Sequence, residues 1–332
     1  MRRGSPPTMK EVARLANVSV STVSHVINKT RFVSSSTRQK VLKAMDKIGY
    51  HPNMIARSLR RRKTNTIGLV ISDITNPFFP GVVRGIEKQL IKKGYSIILT
   101  NTDDDIEKEK NLVTLLYGKR VDGFIIVTAG GESKHIESLI QLRVPVVLLD
   151  RKISGLKLDA VLVDNEGGTR KLTEYLINLG HKRIGIITGP LNVFTGKERL
   201  NGYLKALQEY SLPRDDKLIK TGDFRQESGY SLTLELLSLS SPPTAILACN
   251  NLVGIGAMDA LKEKGIRIPD EIELVIFDDL PWFGHLNPPL TVVAQPTFKL
   301  GEMAAKLLLE QIRGRKKPKE IVLEVELKKR QR

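Results

Sequence analysis

The stretch HPNMIARSLRRRK, residues 51–63, sets Met54, Ile55 and Leu59 at helical spacing and then runs into Arg60, Arg61, Arg62 and Lys63. Consecutive cations of this kind have one plain chemistry, the neutralisation of a polyanion. A helix of about two or three turns is marginal in water on its own, so this one needs partners from outside itself. A second set of chemically capable residues stands where apolar runs end. Asn76, Phe78 and Phe79 follow TIGLVIS, Asp150 and Arg151 end VPVVLLDR, and Asp278 ends IELVIFD. Asn250 closes ACN, Gln295 lies in VVAQP, Phe224 in GDF, and Arg199 in KERLNGY. Taken one at a time, each has a structural reading as good as a functional one, because strand-end Asp and Asn often cap the next helix.

Several chemistries are absent from these patterns. The five histidines, His25, His51, His135, His181 and His285, are scattered without metal-ligand spacing, so no metal or other cofactor is expected. GIITGPLN (185–192) lacks the glycine spacing of a dinucleotide-binding turn. No Ser/His/Asp set suggests itself, and no enzyme is expected. The single cysteine, Cys249, lies in the apolar run TAILAC, which suits a buried thiol and a reducing compartment. The N-terminus, MRRGSPPTMKEV, has no apolar segment of a secretory signal. No apolar run reaches the roughly 20 residues needed to span a bilayer. A cytoplasmic protein without membrane association is expected.

The elements that would position these residues divide the 332-residue chain in two. Residues 1–63 carry fifteen Lys or Arg against two acids, Glu11 and Asp46, whereas the remainder holds only +4 of the net +17. That head reads as three short helices. TMKE (8–11) is a capping box, with Val12, Leu15 and Ala16 behind it as an apolar stripe. Asn17 suits a tight left-handed turn. Ser19 then caps VSTVSHVIN (20–28), whose Val23, Val26 and Ile27 face inward. Val20, Ser21, Thr22, Ser24 and His25 are left exposed. A third helix follows VSSST, with Val41, Met45 and Ile48 inward and Gly49 as its stop. Two short helices joined by a tight turn form a helix-turn-helix. Beyond Lys63, apolar strands alternate with amphipathic helices, the pattern of parallel sheets covered on both faces. About 265 residues is large for one sheet, and the series divides near Asp164–Gly168, giving two doubly wound α/β lobes. Ligands in such folds sit at the carboxyl ends of the strands.

The run TMKEVARLANVSVSTVSHVINKTRFVSSSTRQKVLKAMDKIGYHPNMIARSL resembles, almost without gaps, the DNA-binding head of the lactose-repressor (LacI/GalR) family. The likeness continues through the rest of the chain, whose core is similar to periplasmic sugar-binding proteins of the ribose type. It implies a helix-turn-helix domain over 1–52, a hinge helix and linker over 53–63, and a two-lobed core over 64–332. The first lobe would take about 64–163 and 293–318, the second about 164–292 and 319–332. It also implies a homodimer on palindromic double-stranded operator DNA, since one head reads one half-site. Val20, Ser21 and His25 would meet bases, with Thr22, Ser24 and Asn28 close by. Ala56, Leu59, Arg60 and Arg61 would act in the hinge, Leu59 as an apolar wedge between base steps.

For the core, the resemblance assigns hydroxyl-binding roles to Asn76, Asp150, Arg151, Arg199, Asn250, Asp278 and Gln295. Phe78, Phe79 and Phe224 would supply aromatic cover, with Trp282 a further candidate. A sugar hydroxyl both donates and accepts, so carboxylates, amides and guanidinium forks satisfy it while rings cover C–H faces. The expected effector is ribose or a related pentose. Asn251 and Ile276 depart from the residues common in the family, Asp and Gly, and could reshape the pocket. A catabolite-control regulator answering to a phosphocarrier protein would have much the same head. Arg151 together with Arg199 favours direct sugar binding. A purine pocket fits the hydroxyl-binding set less well, and a free transport protein would not carry the basic head.

Overall fold

The computed structural model describes residues 7–50 and 63–330. The hinge residues Ala56, Leu59, Arg60 and Arg61 therefore lie outside the described residues. The chain forms two compact units, residues 1–64 and 65–332.

The first unit has three helices: α1 (Met9–Ala16), α2 (Val20–Asn28) and α3 (Ser35–Ile48). Thr8 and Glu11 close the capping box in both directions, and Asn17 ends α1 in the left-handed conformation. Ser19 accepts from the Thr22 amide to start α2, and Gly49 ends α3 with φ +62°. Val12, Ala13, Val23, Val26, Val41 and Ala44 make its small core. Leu15, expected inward, is exposed, and Ala13 is buried in its place. At 3.6 residues per turn, positions 12, 13 and 16 share one face, and position 15 falls at its margin.

The second unit is built of two six-stranded sheets. Its first lobe begins with β1 (Thr66–Ile71), α4 (Phe78–Ile91), β2 (Ser96–Asn101) and α5 (Ile106–Gly118). It continues with β3 (Gly123–Ile126), α6 (Lys134–Gln141), β4 (Val146–Leu149) and β5 (Asp159–Val163). The second lobe runs through α7 (Asn165–Asn178), β6 (Ile184–Thr188), α8 (Phe194–Glu209), β7 (Ile219–Thr221) and α9 (Gln226–Leu237). Then come β8 (Ala245–Ala248), α10 (Asn251–Glu263), β9 (Glu273–Phe277) and β10 (Thr291–Ala294). The chain returns as α11 (Thr297–Ile312) and β11 (Glu320–Leu323) and ends with β12 (Glu326–Lys328). The first sheet has the order β11-β5-β4-β3-β1-β2, every pair parallel. The second has β12-β10-β9-β8-β6-β7, antiparallel only at β12. The central strands are buried end to end, as helices on both faces require.

The chain crosses between lobes at Asp164, at Gln295–Pro296 and at Glu324–Val325. This corrects the expected boundaries of 293 and 319. β10 stays in the second sheet beside β9, and β11 pairs with β5, so the last crossing comes after Leu323. The tail strands are short, and only their pairing shows which sheet they join. α11 packs on α4 almost backbone to backbone: a methyl group at Gly85 would overlap the Phe298 carbonyl, and one at Gly301 that of Val82. That approach ties the returning segment to the first lobe.

Candidate functional site

All ten expected effector residues of the core line one cavity between the lobes. It measures about 490 Å³, counting the open space at its mouth. Asn76, Phe78, Phe79, Asp150 and Arg151 come from the first lobe, and Arg199, Phe224, Asn250 and Asp278 from the second. Gln295 lies on the middle crossing. The parallel sheets explain the convergence, because every strand that delivers such a residue ends on the side facing the other lobe.

The backbone is held in uncommon shapes at this site. Asp150, Phe224 and Asp278 have φ of +63°, +67° and +84°. Side chains other than glycine rarely adopt this region, and each instance costs about 1–3 kcal/mol. Backbone strain of this kind persists only where the surrounding structure holds it in place.

Charges are concentrated there. Arg151 donates Nη1 to the Asp104 carboxylate and, at 3.0 Å, to the Thr128 carbonyl, and its Nε lies 3.8 Å from Asp150 Oδ2. Arg199 is 3% exposed. Its Nε donates to Asn165 Oδ1 at 2.8 Å, its Nη1 donates to the Cys249 carbonyl, and its guanidinium lies 3.8 Å over the Phe277 ring. Burial pushes the Asp150 carboxyl above the usual carboxylate range, against the pull of Arg151 and Arg199. Burial raises Asp278 as well, opposed by Arg199 and by the hydrogen bond from the Gln295 amide. Burial also pushes the Cys249 thiol up to about 12, as an inert core cysteine requires.

Not every polar atom is equally available. Asn250 caps α10 through Oδ1 and donates Nδ2 to the Phe224 carbonyl at 2.8 Å, so it builds the site as well as lining it. Asp150 Oδ1, Arg151 Nε and Gln295 Oε1 are buried without a hydrogen-bond partner among the described residues. Such atoms are costly to leave unpaired, and all three belong to cavity-lining residues.

The sequence reading missed several participants. Ser72, Asp73, Asp104, Thr195, Asp223 and Arg225 also line the cavity. Asp104 follows β2 in NTDDD, and the strand-end rule applied to the other strands would have found it. Asn251, noticed only as a departure from the family, donates Nδ2 to Asn76 Oδ1 at 3.0 Å across the cleft. Arg225 donates to the Asp103 carbonyl at 3.1 Å and makes a second bridge between the lobes. Ile276 is buried and packs over Gly254, away from the cavity lining. Trp282 is 43% exposed against Phe283 and does not line the cavity.

In the first unit, α2 presents Val20, 41% exposed, and Ser21 at its start. Ser19 Oγ binds the hydroxyls of Ser21 and Thr22 at 2.7 and 2.8 Å. His25 Nδ1 pairs with Thr30 Oγ1 at 2.8 Å, and Asn28 Nδ2 donates to the Ser24 carbonyl at 2.8 Å. Phe32, missed in the sequence, is 97% exposed beyond the end of α2. Among the described residues no His, Cys, Asp and Glu cluster could hold a metal, and no helix is long and apolar enough to cross a membrane.

Comparison with known proteins agrees with both halves. Residues 8–53 match the family described as bacterial regulatory proteins, lacI family. Residues 64–331 match periplasmic binding proteins and the sugar binding domain of the LacI family. The chain is 37% identical to the HTH-type transcriptional repressor PurR of Vibrio atlanticus, over 95% of this chain and 94% of that one. It is 38% identical to the ribose operon repressor of Haemophilus influenzae, over 92% of each. Among solved structures, the lac repressor dimer bound to operator and an anti-inducer is similar at a TM-score of 0.87 and 30% identity. That likeness covers 98% of each chain.

Proposed function

The chain belongs to the LacI family of DNA-binding transcriptional repressors and is not an enzyme, and on that basis we propose that a small sugar, ribose or a related pentose, sets its affinity for operator DNA. The observation that supports this most is the chemistry of the cavity. Five carboxylates, three guanidinium groups and three amides converge there, with Phe78 offered by one lobe and Phe224 by the other. A polyol can occupy donors and acceptors in several directions at once, including the unpaired atoms of Asp150, Arg151 and Gln295. A flat base would meet fewer of them. A thermal-shift screen of pentoses, hexoses, nucleobases and sugar phosphates tests the reading. Stabilisation by a nucleobase, with none by any sugar, would reject it.

The protein acts as a homodimer in this proposal, because a two-fold operator needs two heads. Val20, Ser21 and His25 read bases, Thr22, Ser24 and Asn28 hold the register, and residues 53–63 form the hinge over the operator centre. Leu59→Ala should weaken operator binding far more than binding to random duplex, since base unstacking occurs only at the operator. Removing Arg61 and Arg62 should lower affinity for both and flatten its salt dependence. Equal losses on both duplexes for Leu59→Ala would remove the wedge.

Sugar affinity should fall on acidification, starting at a higher pH than an exposed aspartate would give. Sugar hydroxyls donate to the ionised carboxylates, and burial holds Asp150 and Asp278 above the usual range. The sign is opposite for the stability of the sugar-free protein. A carboxyl whose folded pKa is raised contributes stability that is lost as pH rises through that folded value. Calorimetric titrations with pentose across the mildly acidic range, beside melting curves without it, check both signs. A flat affinity profile would contradict the carboxylate roles.

A further inference from the structure

All six strands of the first sheet are parallel, so all six start along one edge. The residues just before those starts are cationic with unusual regularity. Lys92 and Lys93 precede β2, Lys119 precedes β3, and Arg143 precedes β4. Lys157 precedes β5, and Lys316 and Lys317 precede β11. Arg143, Lys157, Lys316 and Lys317 line one groove on this edge. Each of the seven is exposed, and among the described residues none has a recorded side-chain hydrogen bond or ion pair.

The acids of the same edge are already engaged. Asp159 is buried and accepts from Arg315, from Gln311 Nε2 at 2.6 Å and from the Lys319 amide at 2.6 Å. Glu310 pairs with Arg315 Nε at 2.9 Å, and Asp122 accepts from the Asn65 amide at 2.9 Å. The corresponding edge of the second sheet is different. There Arg183 pairs with Asp215 at 3.2 Å, Arg214 with Asp216 at 2.6 Å and Arg267 with Glu271 at 3.2 Å. The arginines of that edge are paired with nearby acids, with Lys182 and Lys217 exposed beside them, whereas the first edge carries its seven exposed cations without such pairing. Exposed like charges repel one another and gain nothing for folding, so an unneutralised row fits a polyanionic partner.

We propose that this edge is a second DNA-binding surface, which engages the phosphate backbone of duplex flanking the operator. Duplex DNA is favoured over an acidic protein by continuity. The chain enters β1 on this same edge through Lys63–Asn65, and the segment before it leads directly from the DNA-binding head. The twelve residues 51–62 span at most about 40 Å when fully extended. A duplex held by the head is thus kept at high local concentration around the edge. Lysines and arginines without an ordered cradle read no sequence; they add salt-dependent, sequence-independent affinity.

The inference rests on the DNA-binding reading above, and the test separates the two. Operators are first selected from random duplexes with the full-length wild-type protein. Binding is then measured against salt on the bare operator and on the same operator with several helical turns of random flank. The comparison is between wild type and a variant carrying Arg143→Gln, Lys157→Gln, Lys316→Gln and Lys317→Gln. All four positions are exposed, and melting curves verify that the variant folds. On flanked operator the variant should lose up to about 0.9 of log–log salt slope per cation removed. On bare operator the two proteins should agree. Lys316→Glu with Lys317→Glu should give the same pattern with a larger loss of affinity. Equal slopes on flanked operator would overturn the proposal and leave the edge to an acidic protein. An equal loss on bare and flanked operator would overturn it too, by placing the cations within the operator footprint. A wild-type protein that selects no operator would instead fail the DNA-binding reading itself, and the proposal with it.

Discussion

Arg199→Ala is expected to abolish the response to pentose while leaving operator affinity without sugar within about two-fold of wild type. The guanidinium is almost wholly buried and holds together three things at once. It satisfies Asn165 Oδ1 and the Cys249 carbonyl, it covers the Phe277 ring, and it is the main positive charge acting on Asp278. Removing it leaves Asn165 Oδ1 and the Cys249 carbonyl without that donor, and a buried polar group left unpaired costs about 1–3 kcal/mol. Asp150 and Asp278 would both lose a compensating cation, and their carboxyls would protonate still more readily. Arg199 stands in the second lobe and Arg151 in the first. A sugar engaging both favours one relation of the lobes, and a ligand shifts an equilibrium only by its differential affinity for the two states. Operator titrations with and without pentose read the effect. Arg199→Lys, which keeps the charge and loses the fork, should fall between wild type and Ala. A folded Ala variant that still responds at the wild-type sugar concentration would sink the pocket assignment.

Gly189→Val should weaken sugar binding by about 5- to 150-fold, as overpacking by roughly 1–3 kcal/mol implies. Any side chain at 189 would occupy the space of the Phe224 ring. The ring cannot move with its backbone, because the Phe224 carbonyl is held by Asn250 Nδ2 and φ is already +67°. It would have to swing into the cleft, where it now lies 6.0 Å from the Arg151 guanidinium and 5.8 Å from that of Arg199. Phe224→Ala in the same chain should recover part of the loss, which identifies the collision as its cause. Calorimetry on the two single variants and the double variant decides it. Wild-type affinity in Gly189→Val would show that the ring does not form the wall of the site.

The head was legible residue by residue because its signals are local. Thr8 and Glu11, Ser19, Asn17 and Gly49 each fix a helix end within a few residues of themselves, and all five act so in the structure. Leu15 was misplaced because a helix of eight residues gives a short stripe, and which neighbour falls inside depends on the partner helix. The cavity residues were legible in a different way. Most could be found at or just after a strand end, with Arg199 instead inside α8, yet none announced from its own surroundings whether it capped a helix or met a ligand. Asn250 does the first and lines the site as well.

By itself the sequence determined the alternation of strands and helices, the separation of a basic head from a nearly neutral body, and the types of residue available at strand ends. These depend on periodicity and charge, which are written along the chain. Only the tertiary structure decided what lies next to what. It joined β11 to the first sheet and β12 to the second, and it bridged the cleft through Asn251–Asn76 and Arg225–Asp103. It set the Phe224 ring against Gly189 and gathered scattered lysines along one sheet edge while leaving them unpaired. Such pairings join residues distant in sequence, and nothing local to either partner encodes them. They follow from the parallel order of the strands, which brings all the starts of a sheet to one edge and all its ends to the other.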